Sequence, residues 1–140
     1  MKRLLATALI IFAPIFGQAQ DGALLSLKLE MQHSIKKGNA YLVSQQHEKG
    51  YWGSPELPAF TAFTLRSLLS DPSFDRKKPM PKNYQKALDW ILTQQKEDGG
   101  IYSLGLATYN TASSIMALMN ADPAKYKEPI LKARAFLVHQ

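Results

Sequence analysis

The stretch Lys86-Ala87-Leu88-Asp89-Trp90-Ile91-Leu92-Thr93-Gln94-Gln95 decides the fold, because it occurs nearly three times. An earlier version reads Lys37-Gly38-Asn39-Ala40-Tyr41-Leu42-Val43-Ser44-Gln45-Gln46, and a later one Lys132-Ala133-Arg134-Ala135-Phe136-Leu137-Val138-His139-Gln140. Basic, small, aromatic, aliphatic and Gln positions recur together at steps of 49 and 46 residues. A period of this size marks a supersecondary unit that buries its apolar face against copies of itself. The third version stops one residue before its second Gln, which leads us to expect the N-terminal piece of a longer chain.

Outward from the repeat, the punctuation is regular. Leu24, Leu27, Met31 and Ile35 recur at helical spacing, and Leu42 and Val43 continue the stripe toward Gln46. Gly38-Asn39 is a candidate kink within it. A loop dense in turn residues, Glu48-Lys49-Gly50-Tyr51-Trp52-Gly53-Ser54-Pro55, leads to a predicted helix over 59–69 whose only charge is Arg66. Asp71-Pro72 closes that helix, since a residue before proline is pushed out of the α region. A linker rich in Pro and basic residues runs to about Lys82.

The next helix, predicted over 83–96, places Tyr84, Ala87, Leu88, Ile91, Leu92 and Gln95 on one face and Lys82, Lys86, Asp89 and Lys96 on the other. Asp98-Gly99-Gly100 stops it. A helix without charge follows over 107–121, closed by Asp122-Pro123. Pro129 suits the first turn of a final helix carrying Ile130, Ala133, Phe136 and Leu137. Each unit is thus a charged amphipathic helix, a Gly-rich turn, and a nearly uncharged helix rich in Thr, Ser and Ala. A charged one-sided helix can face water, whereas an uncharged one must be surrounded. The expected fold is all-α: helical-hairpin repeats in two layers with the uncharged helices inside, forming part of an α/α toroid.

The first 20 residues stand apart. Lys2-Arg3 is a positive start, Leu4 to Gly17 is an apolar run broken by Pro14, and Gly17-Gln18-Ala19 places small residues at a cleavage site. That is the pattern of a secretory signal peptide over 1–19, too short to span a bilayer, leaving repeats over 20–140. The expected location is secreted or periplasmic. Loss of Lys2 and Arg3 lowers the formal net charge from +6 to +4. The remaining basic residues are scattered except at Arg76-Lys77-Lys78, which reads as a solvated loop rather than a nucleic-acid footprint. The absence of cysteine excludes disulfides, thiolate metal sites and cysteine nucleophiles from these 140 residues.

With these residues in place, the chain resembles the prenyltransferase and squalene-cyclase repeat superfamily of α/α-toroid proteins. The motif of that family runs basic, Gly or Ala, aromatic, aliphatic, Gln, a short spacer and then Gly-x-Trp. The first copy fits through Lys37, Gly38, Tyr41, Leu42, Gln46, Gly50 and Trp52. The second fits through Lys86, Ala87, Trp90, Ile91, Gln95 and Gly100, with Tyr102 where Trp is usual. The third supplies Lys132, Ala133, Phe136 and Leu137. Read physically, Gln46 and Gln95 can satisfy backbone groups left open at a helix end, the glycines allow positive φ, and Trp52 or Tyr102 can pack over the turn. All six are expected to be scaffold.

Terpene cyclases of the family carry an Asp-x-Asp-Asp acid motif. Here Asp71, Asp75, Asp89, Asp98 and Asp122 are isolated. The family's protein prenyltransferases bind zinc through Asp, Cys and His, and His33, His47 and His139 lack paired metal spacing. No catalytic residue, metal or cofactor is therefore expected in this segment. Three readings remain: an exported binding scaffold, a cyclase-like enzyme whose acid lies outside these residues, and an α/α-barrel carbohydrate-active enzyme by fold analogy alone. If a cavity exists, its rim is expected where the turns meet the inner helices, at Glu56, Phe60, Thr61, Tyr109, Asn110 and Thr111. Such a lining suits an apolar small molecule or a protein partner. An incomplete barrel would leave the faces of its terminal helices uncovered.

Overall fold

The computed structural model describes residues 15–140, with side chains from residue 22 onward. Its described residues form five α-helices and no strand: α1 (Ile15–Ser44), α2 (Pro58–Leu69), α3 (Lys82–Thr93), α4 (Ala107–Ala121) and α5 (Lys127–Val138). The all-helical expectation holds. The expected signal segment 1–19 falls largely outside the described residues. None of the described helices is long and apolar enough to cross a membrane.

The chain divides into two units, one ending at Lys37 and one running from Gly38 to Gln140. In the first, the anticipated stripe of α1 is uncovered: Leu24, Leu27 and Met31 are exposed and Ile35 is half-buried. Helical bonding continues through Gly38 and Asn39, so the helix does not break there. A mid-helix glycine costs only about 1 kcal/mol relative to alanine, too little by itself to end a helix.

The second unit is built on α2 and α4, each burying seven residues. Ala59 lies beside Asn110, Arg66 beside Met116 and Ser70 beside Asn120, so the two helices run parallel, as repetition of one unit demands. Helix α3 packs on α2 and α5 on α4. The core joins Trp52, Leu65 and Leu68 to Leu88 and Ile91 of α3, and on to Ile101, Leu118 and Ile130. Helix α3 is one-sided as expected, burying Ala87, Leu88 and Ile91 while Lys82, Lys86 and Asp89 stay exposed. The uncharged helices are less enclosed than their composition implied. Phe60 and Phe63 of α2 and Tyr109, Met116 and Met119 of α4 remain exposed.

The motif residues tie each turn to the following unit. The Gln46 amide nitrogen donates to the Gly50 carbonyl and to the Asn83 carbonyl in the first turn of α3, both at 2.8 Å. Gln95 does the same with Gly99 and with Pro129 of α5, both at 2.9 Å. Both amide protons are used, one within the repeat and one across to the next. The glycine accepting that bond cannot carry a side chain. Gly50 has φ +101°, and a Cβ there would sit 2.6 Å from the Lys86 carbonyl oxygen. Gly99 has φ +88° and lies equally tightly against the Lys132 carbonyl.

This geometry shifts the second copy's register by one residue. The partner of Gly50 is Gly99 rather than Gly100, and the partner of Trp52 is Ile101 rather than Tyr102. The bonds show it: His47 N–H donates to the Tyr51 carbonyl at 2.9 Å, and Lys96 N–H to the Gly100 carbonyl at 2.8 Å. Likewise Trp52 N–H donates to Thr61 Oγ1 at 3.0 Å, and Ile101 N–H to Thr111 Oγ1 at 2.9 Å. Tyr102 takes the part of Tyr51 instead. Tyr51 packs 5.1 Å from Trp90, and Tyr102 packs 5.6 Å from Phe136, each on the aromatic of the next motif.

Gln95→Ala is expected to lower unfolding free energy by about 1–3 kcal/mol, since it strips two backbone carbonyls of their donor. Gly50→Ala adds about 1–2 kcal/mol of left-handed backbone strain to a contact with the Lys86 carbonyl, so it should cost more than the usual Gly→Ala change. Urea unfolding followed by circular dichroism measures both.

Candidate functional site

Of the anticipated rim positions, three are interior. Thr61, Asn110 and Thr111 are fully buried, and their polar atoms serve the backbone. Thr61 Oγ1 accepts from Trp52 N–H, and Thr111 Oγ1 from Ile101 N–H, so each pins the turn to the first helical turn that follows it. Asn110 does more. Helix α2 starts at Pro58 with no side-chain cap of its own. The Asn110 carboxamide oxygen accepts the orphan Ala59 N–H at 3.0 Å, while its nitrogen donates to the Gly105 carbonyl at 3.1 Å. One helix is thus capped by the next, through the four-donor deficit that every helix N-terminus carries.

The remaining three positions are exposed. Glu56 lies in the loop before α2, its backbone N–H donating to Ser54 Oγ at 3.2 Å. The Phe60 ring lies over Gly53, where φ is +69° and a Cβ would meet the ring at 2.9 Å. Tyr109 meets Phe63 edge-on with ring centroids 5.8 Å apart. Phe63, Arg66 and Met116 were missed from sequence. Arg66 Nη1 donates to Met116 Sδ at 3.8 Å, closing the same face one turn further along. The periodicity of α2 carried a signal for Phe63, three residues after Phe60, but nothing in it said which apolar residues stay exposed.

The described residues also form two concavities. One, of about 460 Å³, lies between α4 and α5, with Ile115, Met119, Ile130 and Leu137 in its walls and Lys127 and Arg134 at its edge. The other, of about 310 Å³, is formed by the linker after α2 with Leu68, Asp71, Phe74, Lys78 and Tyr84. Its one shifted carboxylate is engaged. Asp71 accepts from Ser73 N–H at 2.7 Å, Ser73 Oγ at 2.8 Å and Asn39 Nδ2 at 2.6 Å, and the Ser73 backbone bond first of all holds it below its ordinary pKa. Burial, aided by the Asp71 charge, raises the Tyr84 phenol. In the same linker, Arg76 is exposed together with Lys77 and Lys78, as expected of a solvated loop, yet its guanidinium is engaged. It donates to the Asn120 carbonyl at 2.6 Å, to Asn120 Oδ1 at 2.7 Å and to the Leu69 carbonyl at 3.1 Å. It therefore sets a cation at the carbonyl ends of both α2 and α4.

Among the described residues no group of His, Asp and Glu has the arrangement of a metal site. His47 stacks on Tyr51 at 4.3 Å, and its Nδ1 accepts the Lys49 N–H at 3.1 Å. What the face offers chemically is aromatic and thioether surface backed by saturated amides and hydroxyls. Comparison with family models, with curated proteins and with solved structures returns no match.

Asn110→Ala should cost about 1–3 kcal/mol by stranding the buried Ala59 N–H. Ser114 provides the contrast: its buried hydroxyl has no partner among the described residues. Ser114→Ala should be neutral or stabilising in the same denaturation assay, because the unsatisfied group disappears. The pH dependence follows from Asp71. Its folded pKa is depressed, so its contribution is complete above the unfolded value of about 3.9 and is lost as pH falls through the folded value. An acid titration of stability should lose that component in Asp71→Asn.

Proposed function

We propose that this chain is an exported repeat protein of the prenyltransferase and squalene-oxidase repeat type, whose α/α-toroid scaffold binds an apolar partner without transforming it. The observation that carries this reading is how the polar side chains around the aromatic face are used. Thr61, Thr111 and Asn110 are committed to backbone groups, while Arg66 touches the Met116 thioether and keeps its cation exposed at the edge. The surface left for a partner is Phe60, Phe63, Tyr109 and Met116. Aromatic faces of this kind hold apolar groups by area burial, on the order of 2 kcal/mol per large side chain covered. The motif residues support the same reading, since Gln46, Gly50, Gln95 and Gly99 are all spent on joining repeats.

Export rests on the segment 1–19. Protein recovered from the periplasm or medium of its host should begin at Gln20, as read by intact mass. Retention of Met1 in a cytosolic product would overturn this part of the reading.

Binding is tested by titrating the purified chain with dodecanol, an uncharged apolar probe, in a calorimeter. Tyr109→Ser should weaken binding roughly tenfold, the loss of one aromatic contact. Equal affinity in Phe60→Ser, Phe63→Ser and Tyr109→Ser variants would dismiss the face. Chemical turnover of a polyisoprenoid incubated with the chain, detected by mass spectrometry, would replace the scaffold reading with an enzyme.

A further inference from the structure

Arg66 is the single charge that α2 and α4 carry between them. The repeat does not demand it. The turn register equates Thr61 with Thr111, so Arg66 stands where the next copy has Met116. An apolar side chain therefore serves the architecture equally well at that place. A cation in the last turn of a helix can also act on its carbonyl end. Here Arg76 does that, donating to the Leu69 and Asn120 carbonyls. The Arg66 guanidinium lies instead against the Met116 thioether, a weak acceptor, at 3.8 Å. No carboxylate pairs with it among the described residues, where the one ion pair joins Glu128 to Lys132. It is thus an exposed cation at the end of an exposed run of Phe60, Phe63, Tyr109 and Met116.

From this we infer that the face takes a single long-chain carboxylic acid in its ionised form, the alkyl chain lying along the aromatic run and the carboxylate on Arg66. Charge complementarity selects the occupant. One cation beside four apolar side chains matches one anionic group at the end of a hydrocarbon. The planar guanidinium presents parallel N–H donors to both oxygens of a carboxylate, the bidentate geometry that makes such pairs strong. A diphosphate head would need more positive charge than this face holds. The neighbouring Arg76, joined to Arg66 through Asn120, is committed to helix ends. An alkylammonium would meet like charge. The tail has a defined path. Phe60 and Arg66 are six residues apart, about 9 Å along α2, and the Phe60 ring lies over the turn at Gly53. A chain reaching from the cation to that turn covers both phenyl rings.

This inference names the ligand class for the apolar face proposed above, and it rests on that reading. Calorimetric titrations with dodecanol, dodecyltrimethylammonium and dodecanoate, the last kept below its micelle concentration, separate the two. Dodecanoate should bind most tightly and the ammonium least. In Arg66→Gln the affinity for dodecanoate should fall about tenfold while that for dodecanol stays within about twofold. Lys82→Gln removes the same charge from the exposed side of α3 and should bind dodecanoate like wild type. That comparison separates a contact at Arg66 from the net charge of the chain. Dodecanoate bound no better than dodecanol would overturn the inference and leave the apolar face standing. So would equal losses in Arg66→Gln and Lys82→Gln, or a parallel loss of dodecanol and dodecanoate in Arg66→Gln, which would make Arg66 a support of the face. If none of the three probes binds, the reading of the face itself fails and the inference with it.

Discussion

Two glutamine side chains hold the repeats in sequence. Gln46 and Gln95 each spend both amide protons, one on the turn that follows their own helix and one on the first turn of α3 or α5. The bond is modest in net energy, about 1 kcal/mol each. Its importance lies in position, because it sets the distance at which Gly50 and Gly99 meet the Lys86 and Lys132 carbonyls. No residue with a Cβ fits there, and a longer turn would break the bond. Once that spacing is set, Thr61 and Thr111 fall within reach of the turn backbone, and Tyr51 and Tyr102 fall on the aromatic of the next motif.

Much of this architecture can be read along the chain. Asp122-Pro123 ends α4 at Ala121 as expected, because the residue before proline leaves the α region. Helix α2 begins one residue earlier than its pattern, at Pro58, whose fixed φ suits a first turn. Helix α3 stops at Thr93 rather than Lys96, since Gln94 and Gln95 turn back to serve the following loop. The alignment of Gly100 with Gly50 goes astray for a similar reason. Consecutive glycines look alike in a string of letters, and it is the Gln95 bond, the positive φ of Gly99 and the approach of the Lys132 carbonyl that distinguish them.

The candidate face is less legible. Phe60 and Tyr109 are exposed and could be picked out by residue type. Thr61 and Asn110 could not, because a buried Thr bonded to its own turn and a rim Thr facing solvent share the same letter and the same spacing. The Asn110 cap has no repeat signature at all, since Phe60 stands at the equivalent place. Arg76 was hidden for the opposite reason. It sits among basic neighbours that are exposed, and only the two helix ends converging on it single it out.

Asn110 also ties stability to the order of synthesis. It caps α2 across 51 positions of chain, and Gln46 and Gln95 likewise bond to carbonyls made 37 and 34 residues after them. On a ribosome every unit would therefore emerge before the groups that complete it. The N-terminus of α2 keeps an open donor until the start of α4 has left the exit tunnel, and the turn after α3 keeps an idle amide proton until Pro129 follows. The growing protein always trails one unfinished unit, so its rigidity advances from the N-terminus one repeat behind translation.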